Sequence, residues 1–207
     1  MMFLNQLAAG AAFVLFSCVA FADVTPPDEL VKNTATEVLE LVKKDKDIQA
    51  GDNQKIVALT EEKIVPHFNF ERMSRIVLGK HWKQADKAQQ EKFTAEFRNL
   101  LVRTYSVALA KYRKQTIEYK PLKAAPEDTE VVVKTLILQP GTDPVQLDYA
   151  LEKTENGWKV YDVKVAGVSL VTNYRGDFAN QIKQGGIEGL LKALADKNQQ
   201  MLSKKSS

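Results

Sequence analysis

The apolar positions of the chain change period twice, from helical to stranded and back to helical. Thr25-Pro26-Pro27-Asp28 reads as an extended lead with proline at a helix start, and Leu30, Thr34, Val38, Leu41 and Val42 then recur at helical spacing to about Lys44. Asp52 or Asn53 suits the cap of a second helix with Ile56, Leu59 and Ile64 on its apolar side, which Pro66 ends or restarts. Asn69 opens a short helix through Ile76, Val77 and Leu78, and Gly79 is available for the left-handed turn beyond it. Asp86, three residues before Gln89, makes a capping box for the longest helix, which is expected to reach about Tyr112. Phe93, Phe97, Leu100, Leu101, Tyr105, Ala108, Leu109 and Tyr112 form a stripe wider than one helix-on-sheet contact requires. Either this helix is buried on more than one side, or part of the stripe lines a cavity.

Beyond Lys114 the period becomes two. Thr116 to Tyr119 is a weak strand and Val131 to Leu138 a strong one, while Val145, Leu147, Tyr149 and Leu151 alternate with Gln146, Asp148, Ala150 and Glu152. Asn156-Gly157 signals a hairpin into Trp158. Short turns between successive strands imply an antiparallel meander, so the expected fold is α+β: a helical layer packed on a four-stranded antiparallel twisted sheet. In the last strand Trp158 and Val160 share one face while Val163 and Val165 share the other, which a bulge, or cover on both faces at one end, would explain. From about Val168 to Gln184 the pattern is helical again, and Gly185-Gly186 separates it from a further helix over Ile187 to about Asn198.

Composition supports a globular reading, with 44% apolar and 27% charged residues in a chain of 207. The net charge of +3 is small and the two signs are interspersed, which argues against nucleic acid as a partner. Residues 1–22 carry no charge, and the run from Leu7 to Phe21 suits a secretory core and is short for a bilayer span. Ala20-Phe21-Ala22 offers a cleavage site, so residues 1–22 read as a signal peptide and 23–207 as one exported domain, although the leading segment lacks Lys and Arg. Cys18, the sole cysteine, loosely resembles a lipoprotein processing site but fits apolar filler of the leader better.

Candidate chemistry is sparse. His67 and His81 stand on different segments outside any metal-binding spacing and read as helix-terminal or surface residues. Gly167-Val168-Ser169-Leu170 begins like a nucleophile elbow without the second glycine, so Ser169 reads as a helix cap. Asp148, Asp162 and Tyr161 are the groups from which an isomerase-like site would be built. Arg72, Arg75, Lys80, His81, Lys83 and Lys87 gather around Leu78-Gly79, either as a solvated surface or as a face for an anionic headgroup or acidic partner.

Several pieces together resemble a known family. His67-Phe68-Asn69-Phe70 with Met73, Val77-Leu78-Gly79 with Trp82, and Gln89-Gln90 lead into Phe93, Phe97, Leu100, Leu101, Thr104, Tyr105 and Tyr112. Tyr149, Trp158, Tyr161-Asp162-Val163, Gly167-Val168-Ser169-Leu170, Asn173-Tyr174-Arg175, Phe178, Gly186, Leu190 and Leu194 follow in order. Their order and spacing resemble the exported lipid carriers of the Mla pathway, the toluene-tolerance Ttg2-type family. That resemblance implies a periplasmic, monomeric carrier without catalytic residues, metal or cofactor. It would hold phospholipid as cargo in an apolar pocket between helices and sheet. It also implies two exchange partners: an inner-membrane ABC transporter bearing an MCE subunit, and an outer-membrane lipoprotein-porin complex. Family architecture and periodicity together nominate Leu78, Phe97, Leu101, Tyr105, Val133, Leu147, Tyr149, Val163, Val168, Leu170 and Val171 as the lipid-contacting wall. The readings to be separated from this one are a small-molecule isomerase and an adaptor that binds no ligand.

Overall fold

The computed structural model describes residues 24–109 and 115–203. The leader, Cys18 and Tyr112 lie outside the described residues. Helix α1 (Pro27–Lys44) starts with proline in its first turn, and a short α2 (Lys46–Ala50), capped by Asp45, leads to α3 (Asn53–Lys63). Asp52 caps α3 by accepting from the backbone N–H groups of Gln54 and Lys55. A single 3-10 turn over Val65–His67 absorbs Pro66 before α4 (Phe70–Leu78), whose first turn is held by Asn69 accepting from Arg72 N–H at 3.0 Å. The box at the start of α5 (Lys87–Leu109) is reciprocal: Gln89 N–H donates to Asp86 Oδ1 and Asp86 N–H to Gln89 Oε1.

Strands β1 (Thr116–Tyr119), β2 (Glu130–Leu138), β3 (Val145–Thr154) and β4 (Gly157–Val165) pair in that order as an antiparallel meander. A fifth strand, β5 (Val168–Ser169), where the sequence pattern suggested the helix had already begun, corrects the expected count of four. The cause is the tight turn between β4 and β5. Ala166 and Gly167 both take positive φ, at 49° and 84°, as a two-residue hairpin of the primed kind requires. The chain therefore folds back along β4 for two residues before α6 (Leu170–Ser203) begins, with Ser169 Oγ accepting from Thr172 N–H as its cap. Inside α6, Gly186 adopts φ 67° and ψ −173°, which breaks the helix at the glycine pair.

Of the two explanations for the mixed parity of β4, the structure shows the bulge. Ala150 pairs with Asp162 but Leu151 pairs with Val160, so Tyr161 is the extra residue, and Val160 and Val163 end on the same face. Strict alternation puts Val131, Val133, Thr135 and Ile137 of β2 on that face as well. Buried Thr135 donates its hydroxyl to the carbonyl of Leu147.

Three apolar clusters result. Helices α4, α5 and α6 close around Phe93, Phe97 and Phe178, whose rings lie 5.6–5.7 Å apart. The second cluster joins the inner sheet face to Val31 of α1, and the third joins the C-terminal half of α1 to α2 and α3 through Val38, Val42, Ile48, Ile56 and Leu59. The wide stripe of α5 is thus consumed chiefly by packing against helices on more than one side. Phe97 is fully buried at the centre of this packing. Phe97→Ala is expected to lower unfolding free energy by about 3–5 kcal/mol, read as a drop in the urea midpoint without a change in its slope.

Candidate functional site

Between α1 and the inner sheet face lies a cavity of about 140 Å³. Its roof is one side of α1: Leu30, Val31, Thr34, Ala35, Val38 and Leu39. Its floor takes one or two residues from each main strand: Ile117 of β1, Ile137 of β2, Leu147 and Tyr149 of β3, and Val160 of β4. Ile64, His67 and Phe68 form a side wall, and Leu109 at the end of α5 closes one end. Among the described residues Thr34, His67 and Tyr149 carry the only polar side-chain atoms in this lining, so the space is suited to hydrocarbon. The side wall is fastened to the sheet. Phe68 bridges to Val160 along the edge of β4, and Asn69 N–H donates to the Val160 carbonyl at 2.8 Å.

A polar network on the outer side of the sheet reinforces that attachment. Arg72 donates to Glu152 at 2.5 Å and to Glu130 at 2.6 Å, and its guanidinium lies 3.6 Å from the Tyr161 ring centroid. Tyr161 donates its hydroxyl to Glu130, and Asn69 donates to Glu152. Arg72, and then Tyr161, hold the Glu130 carboxyl below its ordinary range. The bulge is what turns Tyr161 toward this network.

The MlaC protein family matches residues 32–196 of this chain. The chain belongs to the MlaC family. One relative, the intermembrane phospholipid transport system binding protein MlaC of Haemophilus influenzae, is 25% identical over 170 residues, covering 81% of this chain and 79% of that protein. The toluene tolerance protein ttg2D of Pseudomonas putida is 27% identical over 178 residues, covering 85% and 80%. A solved phospholipid-binding protein from Ralstonia solanacearum, in complex with a phospholipid, matches with a TM-score of 0.78 and 43% identity over 84% of this chain and 98% of that one.

Of the wall residues nominated from sequence in this MlaC-family chain, Leu147 and Tyr149 line the cavity. Val133 and Val163 share its sheet face but pack in the adjoining cluster, with Leu170 half-buried against them. Leu78, Phe97, Leu101 and Val171 are buried in the three-helix cluster, and Tyr105 packs against it. Burial there pushes the Tyr174 phenol up, and a hydrogen bond with Tyr105 pushes it further. Val168, on the exposed side of the β4–β5 turn, is 57% accessible. What sequence reasoning missed is α1 as the roof. Its apolar spacing was visible, but the signal of a cavity was the small Thr34 and Ala35 amid larger neighbours.

The carboxylates weighed for catalysis are both buried, and Asp148 Oδ1 has no hydrogen-bond partner among the described residues. Asp162 Oδ1 accepts from Val171 N–H and so holds the first turn of α6, and Asp148 Oδ2 accepts from Gln146. Among the described residues no group of three metal-ligating side chains occurs, and no helix is long and apolar enough to cross a membrane.

His67, expected at a helix end or surface, does end its 3-10 turn and is half-buried there in the cavity wall. Burial, and then the Lys159 cation, hold its imidazole below the ordinary value of 6.5 against an opposing pull from Glu37. The unfolded chain therefore takes up a proton in a range where the folded chain refuses it. The stability this contributes is complete above the ordinary imidazole value and is lost as pH falls through the depressed folded one. His67→Gln is expected to flatten the dependence of the urea midpoint between about pH 7.5 and about pH 5; an unchanged slope would assign that dependence to another group.

Proposed function

We propose that this chain is a soluble periplasmic carrier that holds phospholipid by its acyl tails between α1 and the inner sheet face. The observation that carries the reading is the apolar cavity at that place, in a chain 43% identical to a protein solved with a phospholipid. Two tails carry about 30 methylene groups, and at about 0.8 kcal/mol each their exposure to water costs on the order of 20 kcal/mol. A carrier crossing an aqueous space must cover them, and no reacting group is required for that task.

The lipid-contacting wall on this reading centres on Leu147 and Tyr149 with the α1 residues opposite, and Val133, Val163 and Leu170 stand directly behind or beside it. A cavity of 140 Å³ is comparable to the roughly 150 Å³ engineered voids that admit one benzene. Accommodating two tails therefore requires α1 and the sheet to separate. The uncharged leader of residues 1–22 suits export by a cleavable signal, leaving 23–207 as one monomeric domain. The Haemophilus relative is named for an intermembrane phospholipid transport system, which supports exchange with membrane complexes. On this reading those are the ABC transporter with its MCE subunit on the inner membrane and the lipoprotein-porin complex on the outer.

Filling the space tests the site without dismantling the core. Ala35→Trp places an indole in the roof, and the purified variant is expected to lose most of its co-extracted phospholipid by mass spectrometry while keeping a melting temperature near the parent's. Phospholipid retained at the parent stoichiometry would exclude this cavity as the binding site. A ligand-free adaptor would yield no phospholipid from the parent either.

A further inference from the structure

A second concavity lies on the helical side of the molecule, between the C-terminal end of α4 with its following turn and one side of α6. It has a volume of about 420 Å³ and shares no lining residue with the cavity under α1. Its floor is apolar, built from Leu78, Ala179 and Ile182. Its rim carries Lys80, His81 and Arg175, and among the described residues no carboxylate lines it. Lys83 and Lys183 are exposed beside it, the latter one residue past Ile182 and one helical turn past Ala179.

Several cations on the neighbouring helices are paired, although Lys92 and Lys197 have no ion pair among the described residues. Arg75 pairs with Glu71, Lys87 with Glu91 and Lys192 with Asp196, each one helical turn apart. Lys80, Lys83 and Lys183 have no carboxylate partner among the described residues. Arg175 is fixed in place because its Nη2 donates to the carbonyl of Ile76 at the end of α4. Gly79 makes the sharp turn that lets the guanidinium lie there, with φ at 54°. A preplaced cation loses little further freedom when it meets an anion, and uncompensated positive charge around an apolar floor is complementary to acid flanking an apolar side chain.

We infer that this groove is a docking site for an acidic amphipathic segment of a protein partner, one that seats an apolar side chain on Leu78, Ala179 and Ile182 between carboxylates facing Lys80, Arg175 and Lys183. A lipid surface fits less well. Its headgroups form a broad anionic plane that meets projecting lysines and does not reach a recessed apolar floor, whereas a helix or turn inserts one. The inference rests on the carrier reading only for why a partner is needed. Because the groove and the cavity share no residue, a partner engages the chain here while cargo stays enclosed.

The test places a benzophenone amino acid at Lys83, beside the rim and off the floor, in the full chain exported by living cells. Irradiation is expected to yield a cross-linked protein whose modified peptide, mapped by mass spectrometry, is rich in Asp and Glu. Adding Lys80→Glu and Lys183→Glu is expected to reduce that product by about tenfold, and Lys in place of the partner's acids to restore it. Cross-links that survive the charge reversal, that join only lipid or a second copy of this chain, or that are absent altogether would overturn the inference. Phospholipid content and melting temperature of the doubly reversed chain are measured alongside. Loss of the cross-link with lipid retained speaks to docking alone, and a parent chain without lipid speaks against the carrier reading alone.

Discussion

Two apolar surfaces in this molecule face each other without closing. On α1, Thr34 and Ala35 stand between Leu30, Val31, Val38 and Leu39, so the helix has too little side chain at its middle to reach the floor made by Ile137, Leu147, Tyr149 and Val160. Elsewhere the same chain packs tightly, with the phenylalanine rings of α5 and α6 leaving Phe93 and Phe97 no accessible surface. A gap lined mostly by hydrocarbon forfeits dispersion contacts and offers water few polar partners, so it is costly to keep unless something of its own kind enters. The rest of the architecture keeps that gap from collapsing while sparing it from carrying the stability of the fold.

The division of labour follows from the clusters. Helices α4, α5 and α6 form a filled block, and the C-terminal half of α1 is tied to α2 and α3 by Val38, Val42, Ile48, Ile56 and Leu59. The sheet is joined to the block along β4. There the Phe68 bridge and the hydrogen bond from Asn69 N–H, both at Val160, and the Asp162 contact to α6 lie within one residue of the bulge at Tyr161, and Arg72 stacks on Tyr161 while pairing with Glu152 of β3 and Glu130 of β2. One inserted residue thereby does two things: it returns Val160 and Val163 to the cavity side and delivers Tyr161 to Arg72.

Local chemistry made much of the fold legible beforehand. The caps at Asp52, Asn69, Asp86 and Ser169 act where a short polar side chain precedes a periodic run, because unpaired N–H groups of a first turn need such an acceptor. The alternation in β2 and β3 located their inner faces, and the parity conflict in β4 announced its bulge. The site was less legible. A stripe of aromatics reads the same whether it meets other helices or a guest molecule, and on α5 helices α4 and α6 supplied the partner surface. The roof on α1 was marked by small residues, and a pattern count weighted toward large apolar ones passes over them. Val168 was misplaced because a two-residue strand leaves no periodic trace.

Loading such a site is a question of which wall yields. The wall at β4 is held by charges and backbone hydrogen bonds. Parting Arg72 from Glu152 would leave two partly buried ions without each other, which is costly. The roof is held differently: α1 faces the floor through apolar side chains, with a hydrogen bond between Thr36 and Tyr119 at its margin. Apolar contact is non-directional, so a methylene chain sliding between α1 and the sheet replaces each contact it breaks with an equivalent one. The surface hidden from water stays nearly constant while the volume grows. On the carrier reading proposed above, the same exchange would make departure slow, since an emptied roof must settle back on the floor before the hydrocarbon contact is regained, and release would call for a receiver that takes up the tails.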